Sequence, residues 1–159
     1  MTPVYLIRHA KAKNRLKWRE PDHLRPLTKA GFRQAEALRE LYAGHAFSRL
    51  FSSPYLRCVQ TLEPLAEARG LPLEMADALA EGAPMGVALE LMLAASSAGP
   101  AAFCTHADVG IDVIEELLTE GVGFEGPLEF KKAATWILEV HDRSFTSGRY
   151  LQAPGDALG

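Results

Sequence analysis

The chain has 159 residues, 48% apolar and 23% charged, with 17 basic against 20 acidic side chains and a net charge of −3. That length supports one domain, spanning 1–159, with a core that needs no disulfide staples, and the composition excludes a disordered chain and argues against a general nucleic-acid binder. No apolar run approaches the roughly 20 residues that cross a bilayer, no secretory leader precedes Arg8, and Cys58 and Cys104 make no disulfide framework, so a cytoplasmic protein with no membrane partner is expected.

Val4–Ile7 is a short β-rich apolar run and reads as a buried strand. A polar loop follows from Lys11 to Leu27, broken by Pro21 and Pro26. Thr28 reads as the N-cap of a helix whose stripe is Phe32, Ala35, Leu38, Leu41 and Tyr42, with Gly44 at its stop. Leu50-Phe51 predicts a second strand. Ser53 as N-cap and Pro54 as first helical residue predict the next helix, with Cys58, Leu62, Leu65 and Ala66 inward and Gly70 at its end. Leu71–Met75 reads as a third strand and residues 77–86 as a loop. Val87–Ala95 predicts a helix and Ala101–Cys104 a strand. Asp108 reads as the cap of a helix with Ile111, Ile114, Leu117 and Leu118 on its apolar face. Gly121–Pro127 is expected to be a loop, Thr135–Val140 a last strand running antiparallel, and Tyr150–Gly159 a tail. The alternation of strands and helices predicts an α/β protein, a three-layer α/β/α sandwich around a mostly parallel sheet.

Charge is uneven along the chain. Residues 8–29 carry eight basic and two acidic side chains, a local +6, which leaves −9 for the remainder. Such a field in an acidic protein suits an anionic small ligand, and equally a solvated loop. In open α/β sheets, ligands bind at the carboxyl ends of strands. There the sequence places Arg8-His9, then Ser53 with Arg57 one turn on, then Thr105-His106. Arginine grips phosphate oxygens bidentately, a neutral imidazole is a nucleophile, and helix N-termini add N–H donors. A leaving oxygen also needs a proton donor; Glu81 is the candidate by position, with Asp77 and Glu74 behind it.

These residues carry a resemblance. Arg8-His9-Ala10 is similar to the Arg-His-Gly signature of the histidine phosphatase (phosphoglycerate mutase-like) superfamily. Pro26-Leu27-Thr28 with Gly31, Gln34 and Ala35 resembles the segment that follows it there. Ser52-Ser53-Pro54 with Arg57, Gln60 and Thr61 resembles the second arginine motif, and Thr105-His106 the second histidine motif. The likeness covers most of residues 4–118. It implies that His9 is phosphorylated in turnover, that Arg8, Arg57 and His106 hold the phosphoryl oxygens, that Glu81 is proton donor and then base, and that neither metal nor other cofactor is required. Ala10 and Ala107 depart from the pattern by placing methyl groups near backbone that should approach the ligand.

Only 23 residues separate Arg57 from Glu81, too few for the insertions that build a deep lid in the mutases. The branch most resembled is the small bacterial phosphohistidine phosphatases, which implies a phosphorylated protein side chain as substrate. Arg25–Thr28, Arg33–Glu36 and Arg57–Ala66 also resemble the histidine phosphatase domain of actinobacterial Nudix fusions, which implies a nucleotide phosphate. Three other readings of the same residues are open: a phosphate-binding module without turnover, a metal-dependent hydrolase using His9, His106 and Asp108, and a mutase. Cys58 and Cys104 read as small core residues, and His23, His45 and His141 as exposed. Oligomeric state is not readable.

Overall fold

The computed structural model describes residues 1–155. The apolar run at Val4 forms the middle of β1 (Thr2–Arg8), and the other elements follow as β2 (Arg49–Ser52), β3 (Leu73–Met75), β4 (Ala101–Thr105), β5 (Gly123–Glu125), β6 (Thr135–His141) and β7 (Ser144–Leu151). The helices are α1 (Lys29–Leu41), α2 (Leu56–Arg69), α3 (Met85–Ser96) and α4 (Ala107–Thr119). The seven strands form one sheet in the order β3-β2-β4-β1-β6-β7-β5, in which β6 alone runs against the rest.

Strand periodicity sorts the core into two layers. Tyr5, Ile7, Leu50, Ala102 and Cys104 face one side, where they pack with Leu38 of α1 and Leu62 and Leu65 of α2. Val4, Leu6, Phe51, Ala101 and Phe103 face the other, against Met92 of α3 and Val113, Ile114 and Leu117 of α4. Burying an aliphatic side chain is worth about 1.5–3 kcal/mol, so this double face makes the parallel strands the rigid part of the molecule. Their register levels the strand ends: Arg8 pairs with Thr105, and Ser52 with both Cys104 and Met75.

Several local expectations need correction. Phe32 is 44% exposed, and Gly31 takes the inward place beside Ala35 and Leu38. Helix α2 starts at Leu56, later than the Ser-Pro pair suggests, because the Ser53 hydroxyl accepts from the Tyr55 N–H instead of capping a turn. His106, not Asp108, stands at the cap position of α4, whose buried face is Val109, Gly110, Val113, Ile114 and Leu117, while Leu118 is exposed. The loop expected at Gly121–Pro127 holds β5, and the tail expected from Tyr150 begins inside β7. Tyr150 packs its ring on Trp136, which ties that strand to the core. Residues 156–159 of the expected tail lie outside the described residues. His45 is half-buried, edge-on to Tyr5 and Tyr42, whereas His23 and His141 are exposed. No helix of the described residues is long and apolar enough to cross a membrane.

Candidate active site

The level strand ends bring the four residues singled out by the sequence to one sheet edge. The ladder runs on past β1, where the His9 N–H donates to the Thr105 carbonyl at 3.1 Å. The His9 and His106 rings lie edge to face with centroids 5.4 Å apart. Both are buried.

His9 Nδ1 lies 2.8 Å from the Ala10 carbonyl oxygen. A carbonyl only accepts, so Nδ1 holds the proton and Nε2 keeps its lone pair. Burial pushes the imidazole pKa down to about 3. The Ala10 carbonyl opposes that shift, and the His106, Arg57 and Arg8 charges add to it. At neutral pH the ring is therefore uncharged and nucleophilic. His106 Nε2 sits 2.9 Å from the Ser53 hydroxyl and 3.5 Å from Cys58 Sγ. The Ser53 hydroxyl can donate to Nε2, the tautomer that leaves the His106 proton on Nδ1.

Arg57 is fully buried on the first turn of α2. Its Nη1 donates to the Asp22 carbonyl at 3.0 Å, and its Nη2 to the Asp22 carboxylate at 3.0 Å and to Glu81 at 3.3 Å. Arg8 Nη1 donates to the Phe130 carbonyl at 2.9 Å. Phe130 is itself fixed by Gly110, since a Cβ there would lie 2.1 Å from its ring. Among the described residues five buried side-chain nitrogens have no hydrogen-bond partner, and three of them are Arg8 Nε, Arg57 Nε and His106 Nδ1. Buried donors left unpaired cost free energy, so their concentration around one imidazole marks a place built for an acceptor-rich ligand.

Glu81 reaches the group from the loop after β3. Arg15 grips its carboxylate at 2.8 and 3.2 Å, and Arg57 adds a third contact. The Arg15 hydrogen bond is the main reason its carboxyl lies below the usual range. Burial alone would raise the Asp22 carboxyl, but Arg25 and Arg57 outweigh it and bring it down. The weaker acid candidates sit elsewhere: Glu74 is held by Arg49 at 2.7 and 2.9 Å, and Asp77 starts a short 3-10 turn. The Asp108 carboxylate accepts the Gly82 N–H at 2.8 Å, steadying the loop that carries Glu81. Among the described residues no group of three His, Cys, Asp or Glu side chains could hold a metal.

The loop from Ala10 to Leu27 is clamped by polar residues of both neighbouring helices. Thr61 accepts the Ala10 N–H at 2.9 Å, Gln34 the Lys11 N–H at 2.8 Å, and Gln60 the Leu27 N–H at 2.9 Å. Neither Ala10 nor Ala107 has a positive φ, so alanine is unstrained at both places. The loop walls a cavity of about 520 Å³ that opens on Arg8 and His9. Sequence reasoning missed Asp22, which locks Arg57, and Lys132, which lines that cavity from the segment before β6. Asp22 carried one signal, an acid inside a strongly basic stretch; Lys132 carried none.

The sequence matches the histidine phosphatase superfamily (branch 1) over residues 4–88. It is 28% identical over 157 residues to an 8-oxo-(d)GTP phosphatase of Mycolicibacterium smegmatis, a match that covers 96% of this chain and 49% of that protein. The chain thus spans about half the length of this curated relative. Among solved structures, the protein histidine phosphatase SixA complexed with tungstate superposes with a TM-score of 0.77 at 20% identity, covering 99% of each chain. The putative phosphohistidine phosphatase SixA from Agrobacterium tumefaciens superposes with a TM-score of 0.69 at 28% identity, covering 87% of this chain and 91% of its own.

Proposed function

Because the chain belongs to the histidine phosphatase superfamily, branch 1, we propose that it is a phosphatase that works through a phosphohistidine on His9. The observation that carries this reading is the neutral His9 imidazole, bare at Nε2, set among three buried nitrogens without a hydrogen-bond partner, Arg8 Nε, Arg57 Nε and His106 Nδ1.

The residues divide the chemistry as follows. Arg8, Arg57 and His106 Nδ1–H bind the phosphoryl oxygens and stabilise the charge that spreads over them in the transition state. His9 Nε2 attacks phosphorus, the bond to the leaving group breaks, and its electron pair leaves with that group. The His9 N–P bond is then cleaved by water, which returns the free imidazole and releases inorganic phosphate. Glu81 handles the proton, as donor to a leaving oxygen and as base toward the water. Held by Arg15 and Arg57, it is a carboxylate at neutral pH. It is therefore ready as base, and acts as acid only after Arg15 releases it.

The test is to incubate the protein with a ³²P-labelled donor and quench in base. We expect label that is stable to base, lost in acid, and absent from His9→Ala. Label retained by His9→Ala, or steady turnover of an aryl phosphate by that variant, defeats the reading.

The leaving group is a separate matter. Protein phosphohistidine, expected from the sequence, is supported by the likeness to the SixA structures. A nucleotide phosphate is supported by the mycobacterial relative, and one observation favours it here: the cavity that adjoins His9 is strongly basic.

A further inference from the structure

Six cationic side chains line the cavity beside His9: Arg8, Lys11, Lys13, Arg15, Arg25 and Lys132. No carboxylate is among its described lining residues. Arg15 and Arg25 are paired with Glu81 and Asp22 beyond the wall. The three ammonium groups have no carboxylate partner among the described residues.

The three lysines are exposed, but the backbone that carries each of them is fixed. The Lys11 backbone is held by Gln34 and by Thr28, whose N–H donates to its carbonyl at 2.9 Å. The Lys13 carbonyl accepts from Arg25 Nη1 at 2.6 Å, and Arg25 is only 5% exposed. Lys132 precedes Ala133, a buried non-glycine residue at φ 62°. That left-handed conformation is unfavourable for alanine and is kept by two contacts, from the Ala133 N–H to the Arg8 carbonyl at 3.1 Å and the His9 carbonyl at 3.3 Å. The backbone beside Lys132 is thus sewn to the strand end that carries the nucleophile. Partial burial, together with Arg8, Lys11 and Arg25, holds the Lys132 ammonium pKa below its ordinary value. Cations assembled at this density repel one another unless an anion fills the space between them.

We propose that this cavity is a second phosphate subsite, in which Lys11, Lys13 and Lys132 bind the penultimate phosphate of a diphosphate monoester while its terminal phosphoryl group meets His9. The inference rests on the His9 reading above and names its substrate class. A concave space of about 520 Å³ is the size of a small-molecule pocket, whereas an acidic protein surface would call for a broad shallow patch. The leaving group agrees with the second observation, the clamped Glu81. Attack by His9 Nε2 breaks the bridging P–O bond, and the electron pair stays on the departing phosphate monoester. A phosphate with a second pKa of about 6 leaves at neutral pH without a proton. A carboxylate held ionised by Arg15 and Arg57 has none to give while that clamp holds. Water then cleaves the phosphohistidine, so one diphosphate and one water give a monophosphate and inorganic phosphate.

The test compares GDP, inorganic pyrophosphate, GMP, 4-nitrophenyl phosphate and a phosphohistidine protein, with wild type, Lys13→Met/Lys132→Met and His9→Ala. We expect kcat/KM for GDP to exceed that for GMP by about tenfold or more, and the double variant to cut the GDP to nitrophenyl phosphate ratio by about tenfold. If pyrophosphate matches GDP, the subsite reads only the diphosphate; if it lags, the organic part is bound too, and either result supports the subsite. Preference for the phosphohistidine protein, or equal losses on GDP and nitrophenyl phosphate, overturns it. Calorimetry on His9→Ala supplies a readout independent of turnover. Pyrophosphate should bind about tenfold tighter than orthophosphate, and the added Lys13→Met/Lys132→Met changes should erase that margin. Equal binding of the two anions also overturns the subsite. Nitrophenyl phosphate turnover that survives in His9→Ala instead defeats the phosphohistidine reading alone.

Discussion

Gly31→Ala sets two effects of opposite sign against each other. In an exposed helix interior the change would stabilise by about 1 kcal/mol, because alanine loses less backbone freedom than glycine. Here a Cβ would lie 2.1 Å from the Lys11 carbonyl oxygen, where ordinary contact begins at 3.4 Å. The loop must back away by more than an ångström. Overpacking of that kind costs about 1–3 kcal/mol. The same oxygen accepts from the Thr28 N–H and hydroxyl, at 2.9 and 3.2 Å, and each weakened bond costs about 1 kcal/mol. The net expectation is a loss of about 2–4 kcal/mol, read in thermal unfolding as a fall of roughly 5–15 °C for a chain of this size. The displaced loop carries four cavity cations, Lys11, Lys13, Arg15 and Arg25, so kcat/KM on a phosphate ester should fall by about tenfold or more as alignment is lost. An unchanged or raised Tm would refute the reasoning, since helix propensity alone predicts it.

The His9 pKa is lower in the folded protein than in the unfolded chain, so the unfolded state takes up protons first on acidification. Its contribution to stability is complete above about 6.5 and falls away as pH drops toward 3; from pH 7 to 5, wild type should lose up to about 2 kcal/mol more than His9→Gln in urea unfolding, and equal losses would contradict the burial argument. Ser53→Ala removes the hydroxyl that orients His106 and should lower kcat by about tenfold, and the buried groups left unpaired should cost about 1–3 kcal/mol in urea unfolding; full activity would show that the Nε2 contact is idle. In single-turnover quench, Glu81→Gln should slow phosphohistidine formation from an alkyl phosphate at pH 5 by about a hundredfold but from a nitrophenyl phosphate by far less, because only the first leaving group needs a proton. Equal slowing of that step with the two esters would remove Glu81 from the donor role.

Most strands and helices were legible because their signals are local. Val4–Ile7 and Ala101–Cys104 are short apolar runs bounded by polar residues, and Thr28 caps α1 as its side chain dictates. The strand β7 was not legible. Gly148 breaks its pattern, and the reason lies elsewhere in the chain: a Cβ there would meet the Phe124 ring at 2.2 Å and Leu138 at 2.9 Å. Ser53 does not cap the helix because its hydroxyl accepts from the Tyr55 N–H and meets His106, 53 residues away.

The sequence by itself determined which side chains end the strands: Arg8, His9, Thr105 and His106 follow apolar runs, and Arg57 opens a helix. Their meeting around one point depended on the sheet order, which sets β4 between β1 and β2 and levels their ends. The choice of Asp22 for Arg57, of Arg15 for Glu81, and the arrival of Lys132 beside His9 belong to tertiary structure alone. Backbone conformation follows neighbours a few residues away, through capping and periodicity. An ion pair between loops depends on where the packed sheet sets both loops down, and no short stretch of chain carries that information.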